Sequence, residues 1–142
     1  MNGLPKLAAG LSSAALRFVA VGMVFPYVLE YFAPTISQYV PLPPPSQVWT
    51  SFVLFGALFA VTSFLLNAYS KGDFPWLFGK IGGGLVNIAF FTFLFLFLPK
   101  TVGSAGIQST GLLSLIYLAV GLSYLYLVLD FIDARRKKAV TT

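Results

Sequence analysis

Residues 48–69 read VWTSFVLFGALFAVTSFLLNAY, an apolar run without Asp, Glu, Lys or Arg. As an α-helix, 22 residues rising ~1.5 Å each reach ~33 Å, enough to cross ~30 Å of bilayer hydrocarbon. In lipid the backbone must satisfy its own hydrogen bonds, and a single segment does so only as a helix. Working outward, three more stretches of similar character lie at 14–33, 81–98 and 112–132. Pro34 is expected to close the first, Lys71-Gly72-Asp73 follows the second, and Pro99-Lys100 ends the third. Arg135, Arg136, Lys137 and Lys138 terminate the fourth. The sequence therefore predicts an all-α, four-helix membrane bundle in one transmembrane domain, with residues 133–142 as a basic cytoplasmic tail. Arg17 lies near the start of the first stretch, so its dry portion is expected over 18–32, with the arginine snorkelling to the interface.

Composition agrees with this reading. Of 142 residues, 58% are hydrophobic and 9% charged, with a mean hydropathy of +0.87. A soluble domain carries about 25% charged residues, so this inventory cannot cover a water-exposed surface. Cysteine and histidine are both absent. That removes disulfides, thiol chemistry and the ligands of most haem, iron–sulfur, zinc and copper sites, so no cofactor is expected. The N-terminal apolar segment after Lys6 could also be read as a signal peptide. It is long for that role and no small-x-small cleavage site precedes Pro34, so a retained helix is expected.

The connections differ in character. Residues 34–47 contain the run PLPPP at 41–45, a stiff polyproline II spacer. Residues 70–80 hold Gly72, Asp73, Pro75 and Gly79 and are expected to form a tight interfacial turn with Trp76 at headgroup level. Cations are sorted between the two sides that four spans define. Lys6, Arg17, Lys71, Lys80, Arg135, Arg136, Lys137 and Lys138 fall on one side, and Lys100 on the other. Lys and Arg in short loops resist translocation, so both termini are expected to be cytoplasmic. The opposite connections, 34–47 and 101–111, contain no Asp, Glu, Lys or Arg. A face so poor in charge is expected to be covered by a partner subunit, or to meet a medium where charge is disadvantageous.

Few polar side chains could carry chemistry. Gly56, Ala60, Ser63 and Asn67 recur at helical spacing on one face, as do Gly79, Gly83 and Asn87, and Ser114, Tyr117, Gly121 and Tyr124. Such stripes most simply allow close helix contact with hydrogen bonds across it. The sharper reading has Ser63, Asn67, Asn87, Tyr117 and Tyr124 lining a polar pathway for a small solute or ion. Glu30 would serve a proton-coupled carrier if buried, since burial raises a carboxyl pKa. One turn before Pro34, it is more simply an interfacial anchor beside Tyr27 and Tyr31. The run 90–97, FFTFLFLF, resembles a wall facing lipid or another subunit. Asp133 precedes Arg136 and Lys137 by three and four residues, the favourable order for helical ion pairs. Arg135, Arg136, Lys137 and Lys138 are expected to mark topology and bind lipid headgroups, with no nucleic-acid partner. No catalytic set or phosphate loop is present, Gly82-Gly83-Gly84 lacking the lysine and hydroxyl that a Walker loop requires. The expected function is that of a non-catalytic accessory or assembly subunit of a larger membrane complex, with other integral subunits as partners and homo-oligomers possible. The alternative is a small oligomeric transporter or channel using Glu30 and the Asn/Ser/Tyr stripes.

Overall fold

The structure, a computed structural model, describes residues 3–39, 41–95, 101–102 and 107–140. Four helices are long and apolar enough to cross a membrane: Leu4–Ile36, Pro45–Ala68, Phe74–Leu94 and Ser114–Val140. The first comprises α1 (Leu4–Val19), a π-helical turn (Ala20–Val24) and α2 (Phe25–Ile36). The remaining helices are α3 (Pro45–Ala68), α4 (Phe74–Phe95) and α5 (Ser109–Val140). Between α4 and α5 lies one element the sequence did not predict, an antiparallel pair of two-residue strands, β1 (Thr101–Val102) and β2 (Ile107–Gln108), in the register Thr101↔Gln108. Lys100, the one cation expected on that side, lies outside the described residues.

Most boundary corrections have one physical cause: prolines begin helices here. Pro5, Pro26 and Pro45 occupy first-turn positions of α1, α2 and α3, and Pro75 is the second residue of α4. At Pro5, Pro45 and Pro75 the first-turn amide has no intrahelical acceptor, so a residue without an N–H costs nothing there. The third helix therefore starts at Phe74, where the Leu77 N–H donates to the Asp73 carbonyl, and Trp76 and Lys80 belong to the helix rather than to a turn. The first helix starts at Leu4 instead of residue 14. Pro34 does not close it, because α2 runs on to Ile36 and the Ser37 N–H donates to the Ala33 carbonyl. At the other end α5 carries Arg135, Arg136, Lys137 and Lys138 as helix to Val140.

The π turn has its own cause. Pro26 cannot donate to the carbonyl four residues back, that of Gly22, and the preceding turn widens so that the Phe25 N–H reaches Ala20. Buried Gly22 then meets Gly56 of α3 so closely that a Cβ on Gly56 would lie 2.8 Å from the Gly22 backbone. One end of the same interface is closed by Gly10 against Ala68. On its other side α3 receives α4, where a Cβ on Gly79 would lie 2.7 Å from the Leu65 Cβ. Thus α3 is central, α1 and the π turn flank it, and α5 packs chiefly on α4.

The expected aromatic wall is corrected in part. Phe90 and Phe93 of α4 turn inward onto Phe25, Phe52 and Phe55, with ring centroids 5.3 to 6.2 Å apart, and Phe59 joins Phe90 at 5.6 Å. Phe52, only 1% exposed, is the centre of this cluster. Phe91 stays exposed, and residues 96 and 97 lie outside the described set. The spacing 52, 55, 59 against 90, 93 is that of two facing helical stripes.

Candidate functional site

A cleft of about 660 Å³ lies among α1, α3, α4 and α5. It exists because α5 is held off α4 by tyrosine. The Tyr124 hydroxyl donates to the Ile81 carbonyl at 2.8 Å, directly over Gly84, where any Cβ would collide with the ring. One turn pair away the Tyr117 hydroxyl bonds Thr92. Gly121, between the two tyrosines in sequence, meets nothing within 4 Å. The seam expected on this helix is therefore a propped gap rather than a close contact.

Of the predicted polar residues, Ser63, Asn87 and Tyr124 line the cleft. Asn67 is turned away, its Nδ2 donating to Ser13 of α1 at 3.1 Å and to the Ser63 carbonyl. Tyr117 is absent from the lining, and so is Glu30. Glu30 is exposed on α2, where its Oε2 accepts from the Trp49 indole at 2.8 Å beside a pocket of about 60 Å³. Leu42 and Pro43 of the PLPPP segment fold over that pocket. Glu30 is 13 residues from Arg17, about 20 Å along a helix axis, so it does not share the cleft.

Sequence reasoning missed what gives the cleft its charge. Arg17 of α1, Lys71 of the α3–α4 turn and Lys80 of α4 all line it, with Asp130 of α5 as the carboxylate. Lys71 is paired with Asp130 at 2.6 Å. Arg17 and Lys80 make no ion pair among the described residues. Reading these cations as topology markers followed from starting the helices at 14 and 81, which set Arg17 and Lys80 at their ends. The available signal was Pro75 two residues after Asp73, a helix-start pattern that moves Lys80 inside.

The end of the bundle beside the cleft is tied by polar contacts. Lys6 donates to Ser70 at 2.6 Å, Lys138 pairs with Asp73, and the Arg135 guanidinium stacks 4.4 Å from the Phe74 ring centroid. The Lys138 ammonium bonded to Asp73 holds that carboxyl below its usual range, against a smaller opposing effect of burial. Asp133 pairs with Lys137 at 2.8 Å. Arg135 to Lys138 thus face the 70–74 turn and their own helix as well as open surroundings, Arg136 being exposed. Among the described residues no group of three His, Cys, Asp or Glu could hold a metal ion.

No family model and no solved structure matches this chain. In a match 91 positions long that covers 58% of this chain, it is 34% identical to a lipid-A-disaccharide synthase of Chlamydia pneumoniae, 15% of which is covered. The chain thus spans a small fraction of the curated relative that it matches.

Proposed function

We propose that this chain is a non-catalytic multi-pass membrane protein, with both termini cytoplasmic, that works as an accessory or assembly subunit of a larger membrane complex. The observation that carries this reading is how little of themselves three of the four spans bury. In the most apolar window of each, 28% of Pro45–Ala68 is buried, against 11% for Leu4–Ile36, 11% for Ser114–Val140 and 6% for Phe74–Leu94. A bundle closed on itself covers a stripe about 100° wide on every helix, a little over a quarter of its circumference. Only α3 reaches that share. Gly121 of α5 is also exposed, with nothing within 4 Å of where a Cβ would stand, and a small residue there suits contact with another helix better than with acyl chains.

Orientation rests on the same charges as before: Lys6, Lys71, Arg135 and Lys138 gather at one end of the bundle, the side that resists translocation. Because the protein has no cysteine, Gly121→Cys gives a single crosslinking handle on α5. Crosslinking in native membranes, followed by mild extraction and mass spectrometry, is expected to join residue 121 to a different integral protein. Recovery of the monomer alone, or of a homo-oligomer alone, would overturn this reading.

The transporter reading retains one supporting observation, Ser63, Asn87 and Tyr124 on a common cleft. It loses Glu30 as the proton site of that cleft. In proteoliposomes, Glu30→Gln is expected to leave any flux and its pH dependence unchanged.

A further inference from the structure

The geometry points to the cleft as a binding site for the phosphate group of an anionic membrane lipid, with Arg17 and Lys80 as its charge partners. The site lies within a single copy of the chain and does not require the complex proposed above.

Charge is the first reason. Arg17 lies 13 residues inside Leu4–Ile36 and Lys80 six inside Phe74–Leu94, so both stand on membrane-spanning helices. Cations there are costly unless an opposite charge or water meets them. The single carboxylate lining the cleft, Asp130, is held by Lys71. Two cations are left for one cavity, with no carboxylate of the protein to answer them.

Hydrogen-bond bookkeeping is the second. Four neutral side chains of the cleft donate to backbone carbonyls: Tyr124 to Ile81, Asn87 to Gly83, Ser123 to Val120, and Thr62 to Leu58 and Phe59. The guanidinium of Arg17 and the ammonium of Lys80, both exposed, and the indole N–H of the half-buried Trp76 have no acceptor among the described residues, and all three are donors only. A ligand that satisfies them must be rich in acceptors and negative, as a phosphate is, and the guanidinium fork matches two phosphate oxygens.

Shape selects the carrier of that phosphate. Beside the cations and the polar residues already named, the walls include an apolar part, formed by Phe59 and Leu66 of α3 with Val120 and Leu127 of α5. α5 is seated chiefly on α4 and α1 on α3, so α1 and α5, which both line the cleft, are not a packed pair. An amphiphile can enter from the bilayer, leaving its chains along the apolar walls and its headgroup among the cations. The volume, about 660 Å³, is that of an ordinary small-ligand site and holds a headgroup with the first part of its chains.

The test uses the full chain in neutral detergent. Trp49→Phe leaves Trp76 as the only tryptophan, and its fluorescence is followed on titration with phosphatidylglycerol, phosphatidylcholine or inorganic phosphate, with native mass spectrometry counting bound lipid. Saturable binding of phosphatidylglycerol is expected, weakened about tenfold or more by Arg17→Gln or Lys80→Gln. Arg17→Lys should bind more tightly than Arg17→Gln, and Arg136→Gln, on the exposed end of α5, should bind as the parent does. Circular dichroism of each variant separates a lost site from a lost fold, and Lys80→Gln keeps the test alive if Arg17→Gln unfolds. Equal binding of both lipids, or unchanged binding in the folded Arg17→Gln/Lys80→Gln double variant, would overturn the site. Inorganic phosphate bound as tightly as phosphatidylglycerol would assign the cleft to a soluble phosphate and overturn the lipid as its source.

Discussion

The α1–α3 interface and the α4–α5 interface are built from similar residue types and solve opposite problems. Both have a glycine facing another helix. At Gly56 the partner is the backbone of Gly22, and two helices touch. At Gly84 the partner is the end of the Tyr124 side chain, and two helices are held apart by a ring. Without a hydrophobic drive between helices in lipid, packing and hydrogen bonds decide association, so a glycine means contact or spacing according to what faces it. The first interface makes a rigid pair and the second makes a cleft.

Substitutions sharpen this contrast. The largest effect is expected at Gly56→Val, where added atoms meet backbone that cannot yield, costing about 3 kcal/mol. Unfolding in mixed micelles followed by circular dichroism measures it, and a loss below about 0.5 kcal/mol would mean that the helices do not touch at Gly22. Next comes Phe52→Ala, which empties the centre of the aromatic cluster. In water such a change costs about 3–5 kcal/mol, and in a bilayer the transfer part is removed, leaving about 2 kcal/mol of lost packing. The same unfolding assay should rank it below Gly56→Val and above any change at the α4–α5 seam.

Gly84→Ala tests the second interface. The tyrosine ring can rotate away, so the expected cost is about 1 kcal/mol, the worth of the Tyr124–Ile81 hydrogen bond. Geometry should change more than stability. Spin labels at positions 85 and 125 should change their separation while labels on α1 and α3 keep theirs. Unchanged distances would show that Tyr124 does not set the gap.

The smallest effect belongs to Asp73 and Lys138, which tie α5 to the α3–α4 turn. Lys138 depresses the Asp73 carboxyl pKa in the folded protein. The link therefore stabilises fully above the carboxyl pKa of the unfolded chain, about 4, and is lost as pH falls through the lower folded value. An exposed pair of this kind contributes less than about 1 kcal/mol. Asp73→Asn should flatten the acid limb of a stability–pH profile below about pH 4 and leave the profile near neutrality almost unchanged. An acid limb as steep as the parent's would remove this pair from the account.

How much of this was legible beforehand varies with the reach of each signal. The four spans were readable because apolarity is summed along the chain and needs no partner. Their ends were less so. A hydropathy run counts lipid-compatible residues, whereas α1 and α4 begin with prolines in the first turn and polar residues packed on neighbours, as Lys6 is on Ser70. Ser63, Asn87 and Tyr124 were legible as polar residues in spans, and their meeting in one cleft was not. Glu30 drew attention as an acidic residue in a span, yet its partner is Trp49, 19 residues on and across the proline-rich turn.

By itself, then, the sequence determined residence and asymmetry: four apolar helices, no cysteine or histidine, and cations gathered toward one end. Tertiary structure alone decided what each side chain faces. The physical reason lies in the solvent. In water a helix declares its buried side by the period of its apolar residues, but in lipid every side is apolar and the period is erased. The inward turn of Phe90 and Phe93, the contact of Gly22 with Gly56, and the sharing of one cleft by Arg17 and Lys80 are matters of which helix lies next to which.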